Sequence, residues 1–373
     1  MKNKELIKLA KLFSKNGATL YVVGGFVRDE VNGDHNDDID ITSCLSPIEI
    51  KEFCGRKFKI TDVSKKLGTI LIEGKNLRAE YTPFRSEKYD SKFAHSPSEI
   101  NFEKDLAKDA YRRDFTINAM YKNILTGEVI DIYSGKNDVK KKLIKQIHAQ
   151  VFDVDPLRIL RMVRFASVLN FEIEKKTFED AKKNAYKIAG LSKERLSAEL
   201  KKIIQGKNSV YAIEKLIELK IFPKSQLTLF KENKNLTTLA FDLFKGDFEK
   251  TEKFLTVYAE NKKQSEEILG AIIFAQKFDR EKKITSFINN EENIEKARLI
   301  VKSKEKFEML LDEIGKNKLP LSISELNITG SDLLGYGIEP VAIGKELQRL
   351  LILCVEGKVK NKKEDLAKRL MEE

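Results

Sequence analysis

Asp38 and Asp40 flank a single isoleucine in the segment DDIDIT. On a strand, alternate side chains share a face, so the two carboxylates would point the same way, with Ile39 and Ile41 towards a core. Adjacent carboxylates repel each other, and oxygen-rich sites of this kind suit Mg²⁺ that also contacts phosphates. The pattern therefore predicts a metal pair at Asp38 and Asp40. A solvated strand end in an acidic loop is the open alternative.

A glycine pair, Gly24 and Gly25, lies between the apolar run LYVV and a helical pattern that begins FVRD. Paired glycines let backbone N–H groups approach phosphates closely, and a helix N-terminus adds a favourable dipole. Arg28 would add a positive charge for a triphosphate. An ordinary turn explains the glycines equally well, but the paired aspartates that follow at short range favour a phosphate cradle beside a metal pair.

The nonapeptide RRDFTINAM begins at Arg112. Its alternating Phe, Ile and Ala predict the buried face of a strand. Guanidinium groups bind phosphate in a bidentate manner, and a carboxylate accepts from ribose hydroxyls, so Arg112, Arg113 and Asp114 are candidate nucleotide-binding residues. A structural strand with a basic flank is the alternative.

These segments together resemble the DNA polymerase β-like nucleotidyltransferase superfamily, and specifically the class II CCA-adding enzyme and bacterial poly(A) polymerase family. RRDFTINAM is similar to the family motif at every position. The resemblance implies that Asp38 and Asp40 bind the catalytic metals and that Glu80, in LRAEYTPFR, is a third catalytic carboxylate. It also places Asn118 in the nucleotide site.

The segment DPLRILR, from Asp155 to Arg161, resembles the family's EDxxR motif at the opening of a helix. Asp155 and Arg158, three residues apart, would share a helix face. Cytosine and adenine both present an amino donor beside a ring-nitrogen acceptor, which a carboxylate and a guanidinium complement. Uracil and guanine present donor and acceptor in the reverse order. They would leave buried polar groups without hydrogen bonds, at a free-energy cost of about 1–3 kcal/mol each. The pair is thus expected to admit CTP and ATP, with Arg161 assisting.

An aspartate before a proline is also a favourable helix start, so a capping role for Asp155 stays open beside base choice. Val154 stands where the family has Glu, which removes that side chain from any role in orienting the pair. Asp131, Gly135 and Arg195 fall in further family motifs, for which the resemblance implies structural roles.

A chain of 373 residues exceeds one ordinary core, which indicates several domains. Short β-branched runs fill residues 20–150, namely LYVVGG, DDIDIT, GTILIEG, LRAEYTPF, FTINAMY and EVIDIYS, and helical spacing dominates from about 155. With the resemblance, this predicts an α+β protein. A polymerase β-like head with a small mixed sheet spans 1–145, followed by a helical neck (146–208), body (209–315) and tail (316–373). In the tail, Ser331 or Asp332 would cap one helix, and a second helix is predicted over 343–355.

Lys and Arg total 69 against 58 Asp and Glu, a net charge of +11 that suits a polyanionic partner without requiring one. Cys44, Cys54 and Cys354 show no metal-binding or disulfide spacing, which favours a reduced cytoplasm. We expect no membrane segment, since the longest apolar run near the C-terminus is too short.

The activity implied is extension of the tRNA 3′ end from CTP and ATP, by attack of the 3′-hydroxyl on the α-phosphate with release of pyrophosphate. CC-addition, A-addition, poly(A) synthesis and a non-catalytic RNA-binding relative are the alternatives. Residues 84–105 are long enough for the mobile loop associated with switching from C to A, which favours complete CCA addition. The histidines His35, His95 and His148 form no HD pair, which argues against a phosphohydrolase.

Overall fold

A computed structural model describes residues 4–35, 37–88 and 98–372. The chain divides into two compact units, the first ending at Pro223 and the second beginning at Lys224. Residues 209–223, assigned to the body from sequence, lie in the first unit. The four-domain division stays a prediction.

The strands of the first unit are β1 (Tyr21–Val23), β2 (Ile39–Thr42), β3 (Lys59–Ser64), β4 (Thr69–Glu73), β5 (Arg78–Tyr81), β6 (Arg85–Lys88), β7 (Glu99–Phe102), β8 (Tyr121–Asn123), β9 (Val129–Ile130), β10 (Leu143–Ile144) and β11 (Glu172–Ile173). Seven of them form one sheet in the order β3-β4-β5-β2-β1-β8-β9. Strands β2 and β5 run parallel and their sheet neighbours pair antiparallel, so the predicted mixed sheet is confirmed.

The helices of this unit are α1 (Lys4–Lys15), α2 (Gly25–Asn32), α3 (Pro47–Cys54), α4 (Leu106–Tyr111), α5 (Gly135–Lys140), α6 (Val151–Val154), α7 (Leu157–Leu169), α8 (Lys175–Asn184), α9 (Lys193–Gln205) and α10 (Ser209–Glu218), with 3₁₀ turns at Thr116–Asn118 and Ala185–Gly190. Helix α7 packs against α9 and α10. Its apolar face is fully buried at Ile159, Met162 and Val163, which fixes the side chains on its opposite face.

The predicted strand over FTINAMY is wrong. Residues Thr116–Asn118 form a 3₁₀ turn, and the strand that follows, β8, begins at Tyr121. Asp114 accepts from the Phe115 N–H at 2.8 Å, and the Thr116 hydroxyl donates to Asp138 at 2.7 Å. Such local bonds compete with a strand ladder for the same backbone.

Gly135 lies directly against this turn. A Cβ at Gly135 would sit 2.3 Å from the carbonyl oxygen of Thr116, so a larger residue would displace the turn. Asp131 accepts from the N–H groups of Gly135 and Lys136, which holds the start of α5 in place.

The prediction that Asp155 and Arg158 share a helix face is also wrong, because Asp155 lies outside α7. Asp155 has an extended backbone (φ −140°), and the helix starts at Leu157. The Asp155 carboxylate accepts from the Leu157 N–H at 3.0 Å, so it does contact the helix start.

The region 59–105 contains strands that the sequence patterns did not predict. Strand β3 and the antiparallel pair β6–β7 are the additions. The mobile loop expected within 84–105 falls partly on this hairpin, and residues 89–97 of that segment lie outside the described residues.

The second unit is helical, with α11 (Thr228–Glu232), α12 (Leu236–Phe244), α13 (Phe248–Tyr258), α14 (Lys262–Glu281), α15 (Ile294–Ile300), α16 (Lys304–Asn317), α17 (Gly330–Gly335), α18 (Ile343–Val355) and α19 (Lys363–Met371), and 3₁₀ turns at Ile284–Phe287, Glu291–Asn293 and Ile323–Glu325. The rings of Phe278 and Phe307 meet edge to face at 4.9 Å in its core. The helix predicted over 343–355 is confirmed.

Thr329 caps α17, whereas the sequence had suggested Ser331 or Asp332. Asp332 instead occupies the third helical position and accepts from the Thr329 N–H, which completes a capping box. Within the described parts of the chain, we find no helix long and apolar enough to cross a membrane.

Candidate nucleotide and metal site

An open cavity of about 840 Å³ lies in the first unit. It collects side chains from the β1–α2 turn, β2, the segment around α4 and the start of α7. Twelve of the residues predicted from sequence line it: Gly24, Gly25, Arg28, Asp38, Asp40, Arg112, Arg113, Asp114, Asn118, Asp155, Arg158 and Arg161. Residues as far apart in the chain as Gly24 and Arg161 thus meet at one place.

The predicted carboxylates lie on neighbouring strands. Asp38 directly precedes β2, Asp40 lies on it, and Glu80 is the register partner of Asp40 on the parallel strand β5. Burial by the surrounding protein raises the pKa of Asp40 to about 6, and the charges of Glu80 and Asp38 add to this while Arg113 opposes it. Negative charge is therefore concentrated here, although Glu80 is not among the residues that line the cavity.

The turn between β1 and α2 requires glycine at position 24. Gly24 has φ +72° and ψ −130°, a conformation that residues with a Cβ rarely adopt. A Cβ there would point to Asp40 and Arg113, 3.9 Å from an atom of each. The N-terminus of α2 is consequently open towards the carboxylates, as the phosphate-cradle prediction requires.

A chain of polar contacts links α2 to α7 across the turn at 116–118. Arg28 donates to Asn118 at 2.8 Å, Asn118 donates to Asp114 at 3.1 Å, and Arg161 donates to Asp114 at 2.8 Å. Burial opposes ionisation of Asp114, but Arg161, Asn118 and Arg158 outweigh it and hold its pKa well below the usual range. Asp114 is therefore an anion held by protein donors, with little accessible surface.

Asp109, which sequence reasoning missed, holds the two arginines of RRDFTINAM. It is fully buried, pairs with Arg112 at 2.7 Å and Arg113 at 3.0 Å, and accepts from the Tyr121 hydroxyl at 2.6 Å. Burial would raise its pKa, but the charges of Arg113 and Arg112 lower it to about 2. The sequence did contain a signal for these ion pairs, because Asp109 precedes the two arginines by one helical turn.

Asp155 and Arg158 reach the cavity by different routes. Asp155 pairs with Arg195 of α9 at 3.3 Å, so Arg195 joins the site, although it was assigned a structural role from sequence. Arg158 is 7% exposed and donates through Nη2 to the Arg112 carbonyl oxygen at 2.6 Å. Its Nη1 is buried and has no hydrogen-bond partner among the described residues.

Phe165 is a second residue that sequence reasoning missed. The guanidinium carbons of Arg164, Arg28 and Arg161 lie 4.4, 5.5 and 5.5 Å from the centre of its ring. An aromatic face attracts cations and holds them without neutralising their charge. The ring thus gathers three arginines at one wall of the cavity. Arg161 and Phe165 are four residues apart on α7, so their contact follows helical spacing, but the sequence gives no signal that Arg28 of α2 reaches the same ring.

Two stretches of the chain match known domain families. Residues 20–145 match the family described as "Poly A polymerase head domain", and residues 170–225 match "Probable RNA and SrmB- binding site of polymerase A".

Curated relatives match nearly the whole chain. A CCA-adding enzyme of Ligilactobacillus salivarius is 31% identical over 399 residues, covering 99% of this chain and 97% of that protein. This chain belongs to the CCA-adding enzyme family. A CCA-adding enzyme of Bacillus subtilis is 29% identical over 387 residues, with 96% of each chain covered.

Solved structures of this family share the fold. The Thermotoga maritima CCA-adding enzyme complexed with tRNA-CCA has a TM-score of 0.73 and 25% identity, covering 100% of this chain and 96% of that one. The Bacillus stearothermophilus enzyme in complex with CTP has a TM-score of 0.74 at 22% identity, covering 100% and 98% of the respective chains. The predicted α+β architecture with a nucleotidyltransferase head is confirmed.

Nucleotidyltransferases of this family generally use a divalent metal. The described residues contain no cluster of three or more His, Cys, Asp and Glu side chains placed to hold an ion by themselves. The raised pKa of Asp40 nonetheless marks a concentration of negative charge that a cation would relieve. Asp38 and Asp40 fit an ion that takes its remaining oxygen ligands from nucleotide phosphates and water, as Mg²⁺ commonly does.

Proposed function

We propose that this chain adds C, C and A to the 3′ end of tRNA in the cytoplasm, taking CMP and AMP from CTP and ATP and releasing pyrophosphate. The observation that carries the proposal is the single cavity that contains the Asp38–Asp40 pair, the glycine turn and the Asp155 and Arg158 side chains. Membership of the CCA-adding enzyme family supports the choice of substrates.

We assign binding of the catalytic metals to Asp38 and Asp40, with Glu80 beside them. Mg²⁺ held there would lower the pKa of the attacking 3′-hydroxyl and neutralise charge on the leaving pyrophosphate. Gly24 and Gly25 present backbone N–H groups to the phosphates, and Arg28 adds its charge. No protein nucleophile is required.

The remaining predicted residues hold the nucleotide. Arg112 and Arg113 are fixed by Asp109 and face the cavity, where they bind phosphate, while Arg161 is held by Asp114. Because Asp114 and Asn118 are largely buried and already bonded, their contribution is to orient Arg161 and Arg28 as well as to meet the ribose. This modifies the simple ribose-acceptor role predicted for Asp114.

Asp155 and Arg158 choose the base. Asp155 can accept from the amino group of cytosine or adenine, and Arg158 can donate to the neighbouring ring nitrogen. Asp155 is only partly enclosed, and one nitrogen of Arg158 has no partner among the described residues, so both have hydrogen-bonding capacity left for a ligand.

The test uses purified full-length protein, Mg²⁺, each labelled NTP in turn, and tRNA ending before the first C, after C, or after CC. Complete CCA addition predicts C on the first two substrates and A on the third. Stopping after CC, adding A alone, or extending unrelated RNA with poly(A) would replace this proposal by the corresponding alternative on the same scaffold.

A further inference from the structure

A second cavity, of about 500 Å³, adjoins the nucleotide cavity in the first unit. The two share Glu87, Arg112 and Arg158 as common lining residues. The second cavity contains neither Asp38 nor Asp40, so it is not the reaction centre. Its position suits a molecule that must be held beside the nucleotide while the reaction occurs.

One wall of this second cavity is an aromatic pair. The rings of Tyr111 and His148 stack at 4.2 Å with an interplanar angle of 13°. Tyr111 is 52% exposed, so a face or edge of this pair stays available. Burial and the charge of Arg158 lower the pKa of His148, which keeps its ring neutral near pH 7 and suited to stacking. Tyr133 and Val154 extend the apolar lining.

One polar group points to the kind of ligand. Arg158 is more than nine-tenths buried between the two cavities, and its Nη1 has no partner among the described residues. Nη1 carries two N–H groups, so a ring nitrogen or carbonyl oxygen of a second nucleobase can accept from one of them while the base of the NTP accepts from the other. The plane of the second base would then lie on the aromatic pair. A flat, apolar-faced ligand with acceptors at its edge meets both requirements.

We propose that this second cavity binds the base of the 3′-terminal nucleotide of the RNA primer, stacked on Tyr111 and His148. The proposal rests on the proposed function, because that activity makes an RNA 3′ end the second substrate beside the NTP. Val154 belongs to this cavity and adds apolar surface beside the aromatic pair, in a lining that also holds the charged side chains of Glu87, Lys108, Arg112 and Arg158.

The test uses full-length protein and tRNA that ends before CCA, with 2-aminopurine as the 3′-terminal base, in the absence of NTP. Stacking quenches 2-aminopurine fluorescence, so binding to the unchanged protein and to Tyr111→Phe should quench it. Tyr111→Leu should lose the quenching and raise the KM for tRNA by about five- to 150-fold, with the KM for CTP unchanged. Tyr186→Leu, at a tyrosine that is 68% exposed elsewhere, is the matched control and should behave as the unchanged protein.

Quenching that survives in Tyr111→Leu, or that is lost equally in Tyr186→Leu, would overturn the proposal. Because Tyr111 is at the surface, Tyr111→Leu should fold normally, which its melting temperature will verify. If the unchanged protein quenches the probe but incorporates no nucleotide, the base site stands and the proposed transferase activity fails. If it incorporates nucleotide normally without quenching the probe, the transferase activity stands and the base site fails.

Discussion

Asp155 pairs with Arg195, whose Nη2 lies 3.3 Å from the Asp155 Oδ2. This contact ties the start of α7 to α9 and fixes the carboxylate independently of Arg158. Arg158 is fixed separately, by its bond to the Arg112 carbonyl oxygen. The two groups assigned to base selection are thus held by different partners, so each can be altered without freeing the other.

Asp155→Asn should relax nucleotide choice. The carbonyl of uracil cannot donate to the Asp155 carboxylate, but an amide at this position can donate to that carbonyl, so the free-energy penalty for binding UTP falls. The ratio of kcat/KM for CTP over UTP should therefore drop by about five- to 150-fold. Steady-state kinetics with each NTP measures this. Asp153→Asn is the control, since Asp153 pairs with Lys187 outside the cavity. A ratio unchanged in Asp155→Asn would leave Asp155 as a helix cap alone.

Asp38→Ala should abolish nucleotide incorporation while tRNA binding persists. Removing one carboxylate of the pair removes a ligand of the assigned metals. Incorporation assays and filter binding to tRNA separate the two effects. Asp37→Ala provides the comparison, because the Asp37 side chain is 95% exposed and does not line the cavity. Activity retained in Asp38→Ala would show that the metal site is misassigned.

Divalent-cation binding should weaken in acid because of Asp40. Its pKa is raised to about 6, so below that pH a proton competes with the cation. The Mn²⁺ concentration for half-saturation, followed by electron paramagnetic resonance, should rise up to about tenfold for each pH unit below about 6 and level off above about 7.

Without metal, the same shift makes Asp40 favour the folded state below about pH 4. This contribution to stability is lost as the pH rises through about 6. Asp40→Asn should remove this contribution, so the loss of melting temperature between about pH 4 and 6 should be smaller in the variant than in the unchanged protein. A Mn²⁺ affinity that is flat from about pH 5 to 8 would contradict the assignment.

Phe165→Leu should weaken nucleotide binding beyond its effect on stability. The ring holds three arginines at one wall, and its loss should raise the KM for CTP and ATP alike by about two- to thirtyfold. Phe152→Leu is a matched control, since both rings pack against Phe115 and Phe152 is fully buried. Both variants should lose stability. An equal rise of KM in both would mean that Phe165 contributes only to core packing.

Asp109→Asn should destabilise the first unit by about 3–5 kcal/mol, because it removes the buried counter-charge of Arg113 and leaves Arg112 with Glu87 alone. The Asp109 pKa is lowered to about 2, so its contribution is present above about pH 4 and disappears as the pH falls towards 2. The difference in unfolding free energy between the variant and the unchanged protein should therefore shrink in acid. Asp105→Asn keeps the cap of α4 and should have little effect.

Much of the site could be predicted because its residues lie in short, contiguous segments. The glycine turn, the aspartate pair and RRDFTINAM each contain several functional residues whose types suit phosphate or metal. The strands that carry Asp40 and Glu80 were likewise indicated by β-branched runs, and the structure sets these residues in register. Local patterning is sufficient where a strand has one buried face.

The sequence by itself determined the residue types, their order and the α+β division, since these follow from local periodicity and motif. The tertiary structure alone decided which charges meet. It joined Asp155 to Arg195, 40 residues away, and it made Thr116–Asn118 a 3₁₀ turn, with bonds to Asp138 and Asp114. It also brought Arg28 of α2 onto the Phe165 ring beside Arg161 and Arg164. Contacts between residues this far apart depend on distances across the fold, which local spacing does not encode, whereas the pairs of Asp109 with Arg112 and Arg113 follow helical spacing.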